Sequence, residues 1–331
     1  AAVLWRPPSL RPVSVALLAL ALLAGCARGP SSHTPQLPQG FVDAPLPDVA
    51  LSGYVYFHPA DPLSLPLERV LSRQEVEALP PEVPRTARVE EARVYLGPAR
   101  GASVAALRLQ EEALARLVEE RLEESAPPDL EVWRQGPTLF LAQGQHGWTR
   151  EAVEALRQGR LVSLQERHQA AWGLLRLLPA EPASPPAAAG FLRLDPDVVA
   201  LLSRHVGTEV AAVGDALQFV QVETLAFTVH AATPLAWPAG GADLLQSLRQ
   251  QEVGVTVAGR SRVPGFIVDL AFGPLAGQVG LEKATVGEEE VFYQSLGDQA
   301  HLMVRNAGNL LYLVAAPRRE SAEALMGKLA E

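Results

Sequence analysis

Cysteine is almost absent from the 331 residues: Cys26 stands alone, which excludes an internal disulfide and any multi-cysteine zinc or iron–sulfur site. Lysine and isoleucine are nearly as scarce, with only Lys283, Lys328 and Ile267, a bias that reflects GC-rich coding more than function. Basic residues number 28 against 37 acidic ones, a formal charge of −9, which argues against a nucleic-acid partner because a phosphate backbone demands clustered Lys and Arg. No serine sits in a Gly-x-Ser-x-Gly elbow, and no Gly-Lys-Ser or Gly-Lys-Thr phosphate loop occurs; Gly273, Gly277 and Gly280 are dispersed. The seven histidines (His33, His58, His146, His168, His205, His230, His301) include no pair at metallohydrolase spacing. A scattered set of this kind reads as structural or solvated. No cofactor and no metal site is expected.

What is present is a chain able to fold. Hydrophobic residues make up 48% and charged ones 20%, and the length suits two modest domains. The first 25 residues stand apart: Arg6 and Arg11 form a positive n-region, and Val13 to Leu23 is an apolar run too short to span a bilayer, which takes about 20 residues. The run ends in Leu23-Ala24-Gly25-Cys26. This segment resembles the lipobox leader of bacterial lipoproteins, and the resemblance implies cleavage between Gly25 and Cys26 with a diacylglyceryl group on the Cys26 thiol. Two or three acyl chains anchor stably where one would not. Ala27 stands where an aspartate would look like an inner-membrane retention signal, so the resemblance implies the outer membrane of a two-membrane bacterium, facing periplasm or surface, or otherwise the outer leaflet of the plasma membrane. Loss of the leader leaves 26 basic against 37 acidic residues, a charge of −11.

Residues 26–49 are rich in proline and small polar residues, from Pro30 through Pro35, Pro38, Pro45 and Pro47, and read as an extended tether at about 3 Å per residue. The remainder divides at Pro179–Pro186 into a first lobe, 50–180, and a second, 187–331. Five short matches recur in the same order. Gly53–Pro59 parallels Gly190–Pro196, Val70–Arg73 parallels Leu201–Arg204, and Val89-Glu90 parallels Val222-Glu223; Val132–Leu141 parallels Val304–Leu313, and Arg150–Leu156 parallels Arg319–Leu325. The offsets step from 131–137 to 169–172, so about forty extra residues enter the second half after Val229. The pattern points to an internal duplication.

The elements read as α+β: two related lobes, each an antiparallel sheet with helices packed on it. Leu225, Phe227 and Val229 alternate with Ala226, Thr228 and His230, as Phe266, Val268, Leu270 and Phe272 do with Ile267, Asp269 and Ala271, the period of strands with one better-buried face. Links as short as Gly97–Gly101 and Asn306–Asn309 demand antiparallel hairpins. Glu111–Glu124 reads as a helix with Leu114, Leu117, Val118 and Leu122 on one stripe and a Glu112–Arg116 pair on its flank. Ser163-Leu164-Gln165-Glu166 is a capping box opening a helix with Ala171, Leu174, Leu175 and Leu178, and Asp195-Pro196 caps another. A hairpin, the helix Arg150–Arg157, Leu161–Leu164 and an amphipathic helix together resemble an uncharacterised class of bacterial envelope proteins of unknown function; that resemblance implies no active site.

Candidate sites are few. Asp195 and Asp197 read as helix caps, and Glu288–Glu290 as a solvated turn. Trp133 and Trp148 suit a core, whereas Trp237, between Pro234 and Pro238, suits an exposed binding contact. The expected function is therefore a lipid-anchored cell-envelope protein, held to the membrane by Cys26, with a non-catalytic binding or scaffolding role beside an envelope protein partner. Two alternatives stay open: an envelope hydrolase with a dispersed active site, and a carrier of an apolar ligand between the lobes.

Overall fold

Runs of alternating residues joined by short links have one economical outcome, antiparallel pairing of chain neighbours. The computed structural model bears this out over the residues it describes: 46–57, 63–66, 74, 77, 86–98, 102–125, 130–144, 146–179, 186–194, 220–231, 253–278, 280–295 and 300–329. In chain order these form β1 (Leu46–Pro47), β2 (Gly53–Phe57), β3 (Leu63–Pro66), β4 (Thr86–Leu96), β5 (Ser103–Leu109), α1 (Glu112–Ser125), β6 (Leu130–Gln135), β7 (Thr138–Gln143) and α2 (His146–Arg157). Then come β8 (Leu161–Val162), α3 (Leu164–Arg167), α4 (Gln169–Leu175), β9 (Ala188–Arg193), β10 (Val222–Ala231), β11 (Val253–Ser261) and α5 (Gly265–Gln278). The last elements are β12 (Glu282–Val286), β13 (Glu289–Ser295), β14 (His301–Ala307), β15 (Leu310–Ala316) and α6 (Arg319–Lys328).

Thirteen strands join one sheet, in the order β12-β13-β14-β15-β11-β10-β9-β2-β4-β5-β7-β6, with β3 also on β4; β1 and β8 pair separately. Every pairing is antiparallel. The α+β reading holds, but the halves do not each close a sheet of their own. They are joined at β2–β9, from Gly53↔Leu192 to Phe57↔Ala188. Outward from that seam one arm runs β2-β4-β5-β7-β6 and the other β9-β10-β11-β15-β14-β13-β12.

Successive side chains of a strand point to opposite faces, and both faces of this sheet are covered. Tyr54 and Tyr56 pack with α2, α3, α4 and α6, whereas Val55 and Phe57 pack on the α1 side; α5 covers the far end of that second face. The four-helix face has small residues at its centre, Ala189, Ala226, Thr228, Thr256 and Ala258, all at most 1% exposed. Small side chains let α4 settle directly over β9, β10 and β11. Double coverage changes the expectation for β10: Ala226, Phe227, Thr228 and Val229 are all buried, so neither face is the wet one.

Three further expectations are corrected. The stretch Phe266–Phe272 is part of helix α5, with Val268, Phe272 and Ala276 buried at helical spacing. Glu112 does not pair with Arg116; it accepts from Arg134 Nη1 on β6 at 2.8 Å, while Arg116 turns to Glu120 at 3.8 Å. The folded body starts before residue 50, since Leu46 and Val49 are buried. The Ser163 capping box is present, with Glu166 N donating to Ser163 Oγ at 3.2 Å and Ser163 N donating to Glu166 at 3.1 Å. It opens α3, and a break at His168 separates α3 from α4.

Candidate functional site

The place where the chain enters the body gathers more polar surface chemistry than any single motif announces. β1 pairs Leu46 with Val162 and Pro47 with Leu161. Asp48 N donates to Arg160 O at 3.0 Å, and the Asp48 carboxylate lies 3.6 Å from Arg167. Arg193 N donates to Ser52 O at 2.7 Å, bringing the end of β9 to the same rim. Trp148 on α2 donates its Nε1 to Ala50 O at 2.6 Å, which ties the entering strand to the helix. Arg160, Arg167 and Arg193 are all exposed, as is Leu161 next to Arg160, at 42%.

His168 reports the electrostatics of this rim. Its ring tilts over Phe191 with centroids 4.7 Å apart, and its Nε2 is buried with no hydrogen-bond partner. Burial, aided by the positive charges of Arg167 and Arg193, pushes its pKa down to about 4. Above pH ~6.5 the ring is neutral both folded and unfolded; below that the unfolded chain takes a proton that the fold refuses. Stability should therefore fall as pH drops from 6.5 towards 4. Urea midpoints of the parent and of His168→Gln, measured between pH 7.5 and 4, should converge at low pH because the variant lacks this contribution. Parallel curves would show that His168 does not titrate this way.

A second polar group lies deeper on the same face. Glu91, Arg93 and Tyr95 follow one another on β4 beside Tyr56 and Tyr54 of β2. Arg93 pairs with Glu91, and its Nε is buried without a partner. Burial and the Glu91 charge, opposed by Arg93, push the Tyr56 phenol up to about 12, so it stays protonated at neutral pH. Beyond β9, on β10 and β11, Thr228 Oγ1 lies 2.6 Å from Thr256 Oγ1 and 3.0 Å from His230 Nε2. These contacts hold strands together, and among the described residues no group of three His, Cys, Asp or Glu is placed to hold a metal.

The remaining surface feature is apolar. Phe266, Ile267 and Leu270 on the outer side of α5 are 73%, 41% and 78% exposed. Asp269 beside them accepts from Asn306 Nδ2 at 2.5 Å. No helix among the described residues is long and apolar enough to cross a membrane.

Gly25, Cys26, Trp237, Asp195, Asp197, His33, His58 and His205 lie outside the described residues, as does the side chain of His146. Trp133 is in the core and Trp148 is half-buried. Glu290 bonds Lys283 at 2.7 Å and Glu289 approaches Arg305 at 3.7 Å, which makes that charge run part of the β12–β13 hairpin. His301 accepts or donates at 2.8 Å with Tyr293. The sequence carries one signal for the rim arginines: between Ala155 and Ala180 there are four arginines and one carboxylate, Glu166. Arg193 joins them only through strand register. Compared with family models, curated proteins and solved structures, the chain finds no match.

Proposed function

We propose that this chain is a lipid-anchored cell-envelope protein with a non-catalytic binding or scaffolding role. The observation that carries the binding role is the outer side of α5, where three large apolar side chains face solvent on a helix already packed through Val268, Phe272 and Ala276. Exposed apolar residues scattered singly are ordinary, but a phenylalanine, an isoleucine and a leucine on one helix side suit a protein contact. The partner it fits is an envelope protein offering an apolar helix or loop. Anchoring is supported by the lipobox and by the length of the tether: Cys26 lies twenty residues before Leu46, where the body begins.

The duplication belongs to the same reading. Four of the five recurring motifs fall on corresponding elements, β2 with β9, β4 with β10, hairpin β6–β7 with β14–β15, and α2 with α6, while Val70–Arg73 and Leu201–Arg204 lie outside the described residues. Both hairpins turn through a glycine of positive φ, Gly136 at 58° and Gly308 at 61°. Residues 232–252 and the β12–β13 hairpin account for most of the extra length in the second half.

Two substitutions test the function separately. Cys26→Ser should release the protein from membranes under alkaline washing; retention would overturn the anchoring. Phe266→Ser with Leu270→Ser should leave the protein in the membrane fraction but lose a cross-linked partner that the parent chain retains in mild detergent. If the two chains recover the same proteins, α5 is not the contact.

A further inference from the structure

Among the described residues, the helices nearest the chain-entry strand carry a charge opposite to that of the whole molecule. From His146 to Arg176, the segment that builds α2, α3 and α4, there are five arginines and three glutamates. On the other face, α1 and its flanking residue Glu111 hold six glutamates and two arginines over Glu111–Glu124. The chain is thus acidic overall, while the described helical segments on the two sides of the sheet are oppositely charged. At the chain-entry rim the polarity is sharpest, because Arg160 and Arg193 have no carboxylate partner among the described residues and Arg167 has only Asp48, at 3.6 Å.

We propose that Arg160, Arg167 and Arg193, with the exposed Leu161 next to Arg160, form a docking surface for anionic phospholipid headgroups that lays this face of the anchored body on its own membrane. The inference rests on the anchoring reading for its geometry. The nineteen residues between Cys26 and Leu46 end at β1, which is paired directly with Leu161 and Val162. At about 3 Å per residue a chain of that length reaches on the order of 60 Å at most, so the rim is confined near the bilayer and meets headgroups at raised effective concentration. Each arginine near an anionic surface strengthens association about fivefold, little for a free protein but enough to orient a tethered one. The glutamates of α1 are repelled by the same surface and favour the same orientation. Guanidinium groups suit phosphate because they are planar and always charged, and the exposed leucine next to Arg160 can enter the headgroup layer.

Hydrogen exchange on the lipidated chain, reconstituted into phosphatidylcholine vesicles with or without one-third phosphatidylglycerol, tests the proposal. Amides across Arg157–Leu177 should exchange severalfold more slowly on the anionic vesicles, revert in 0.5 M salt, and leave α1 unchanged. Arg160→Glu with Arg193→Glu should abolish the slowing while the chain still floats with both vesicle types; Arg160→Gln with Arg193→Gln should weaken it in a graded way. Equal exchange on both vesicles, or slowing that survives charge reversal, overturns the proposal. So does slowing reproduced by inorganic phosphate, which would mean a small-anion site, or slowing that needs added envelope protein, which would mean a protein contact. Failure of anchoring reads differently: the chain would not float with neutral vesicles. In that case salt-sensitive flotation of Cys26→Ser with anionic vesicles, compared with the same chain carrying both charge reversals, decides the docking surface by itself.

Discussion

Gly190→Ala is expected to cost about 3 kcal/mol or more, at the upper end of what overpacking does, and to leave much of the protein unfolded. Gly190 sits in β9 at the seam, opposite Val55 on one side and Phe227 on the other. A Cβ there would overlap Tyr54 O and meet Phe227 Cζ at 2.7 Å and Val55 Cα at 3.1 Å. Two of those three atoms are backbone, so no rotamer change relieves the overlap; the strand pair that joins the two halves has to separate. Gly173 is the matched control. It lies in α4 with nothing within 4 Å of the place a methyl group would occupy, so Gly173→Ala should be neutral or gain up to about 1 kcal/mol from reduced chain entropy and better helix propensity. Urea unfolding followed by circular dichroism compares the two. A Gly190→Ala chain as stable as the parent would mean that β2 and β9 are not in this close register.

What could be read in the chain was local. The capping box at Ser163–Glu166 and the hairpins β6–β7 and β14–β15 depend on neighbouring residues alone, so their signals survive without knowledge of the fold. The α5 stretch misled because its outer side is apolar. With Phe266, Ile267 and Leu270 exposed beside buried Val268 and Phe272, strand and helix periods fit equally well. Pro274, inside the helix, also denies the Leu270 carbonyl its usual backbone donor. The Glu112–Arg116 pair failed for another reason: Arg134, from β6, offers Glu112 and Glu119 contacts at 2.8 and 3.0 Å that no reading along one helix can anticipate. The rim followed the same rule. Arg160 and Arg167 are close in sequence, but Arg193 reaches them only because β9 lies beside β2, whose lead-in residue Ser52 accepts from its backbone.

Trp133→Ala should cost about 3–5 kcal/mol, the range for removing a large aromatic side chain from a core, while Trp133→Phe should stay within about 1 kcal/mol of the parent. Trp133 lies on β6, the last strand of the sheet, and is 6% exposed. Its ring stacks on Phe140 of β7 with centroids 3.7 Å apart and planes within 4°, and the Arg157 guanidinium of α2 sits 4.8 Å from its centroid on a π face. Arg157 also approaches Glu131 at 3.5 Å, so one side chain of α2 holds the edge strand by two contacts. Alanine would forfeit the stack and the cation–π contact together and leave a cavity beneath α2. Phenylalanine keeps a ring between Phe140 and Arg157 with a weaker π face, a loss of about 0.5–1 kcal/mol. Against that loss stands the indole Nε1, buried with no hydrogen-bond partner; removing an unsatisfied buried donor recovers on the order of 1–3 kcal/mol. The two terms oppose each other, so the ratio of the variants separates packing from polarity. A Trp133→Ala loss under about 1 kcal/mol would mean that β6 is not pinned to α2 through this ring, and that the open edge is held by the α1 contacts of Arg134 instead.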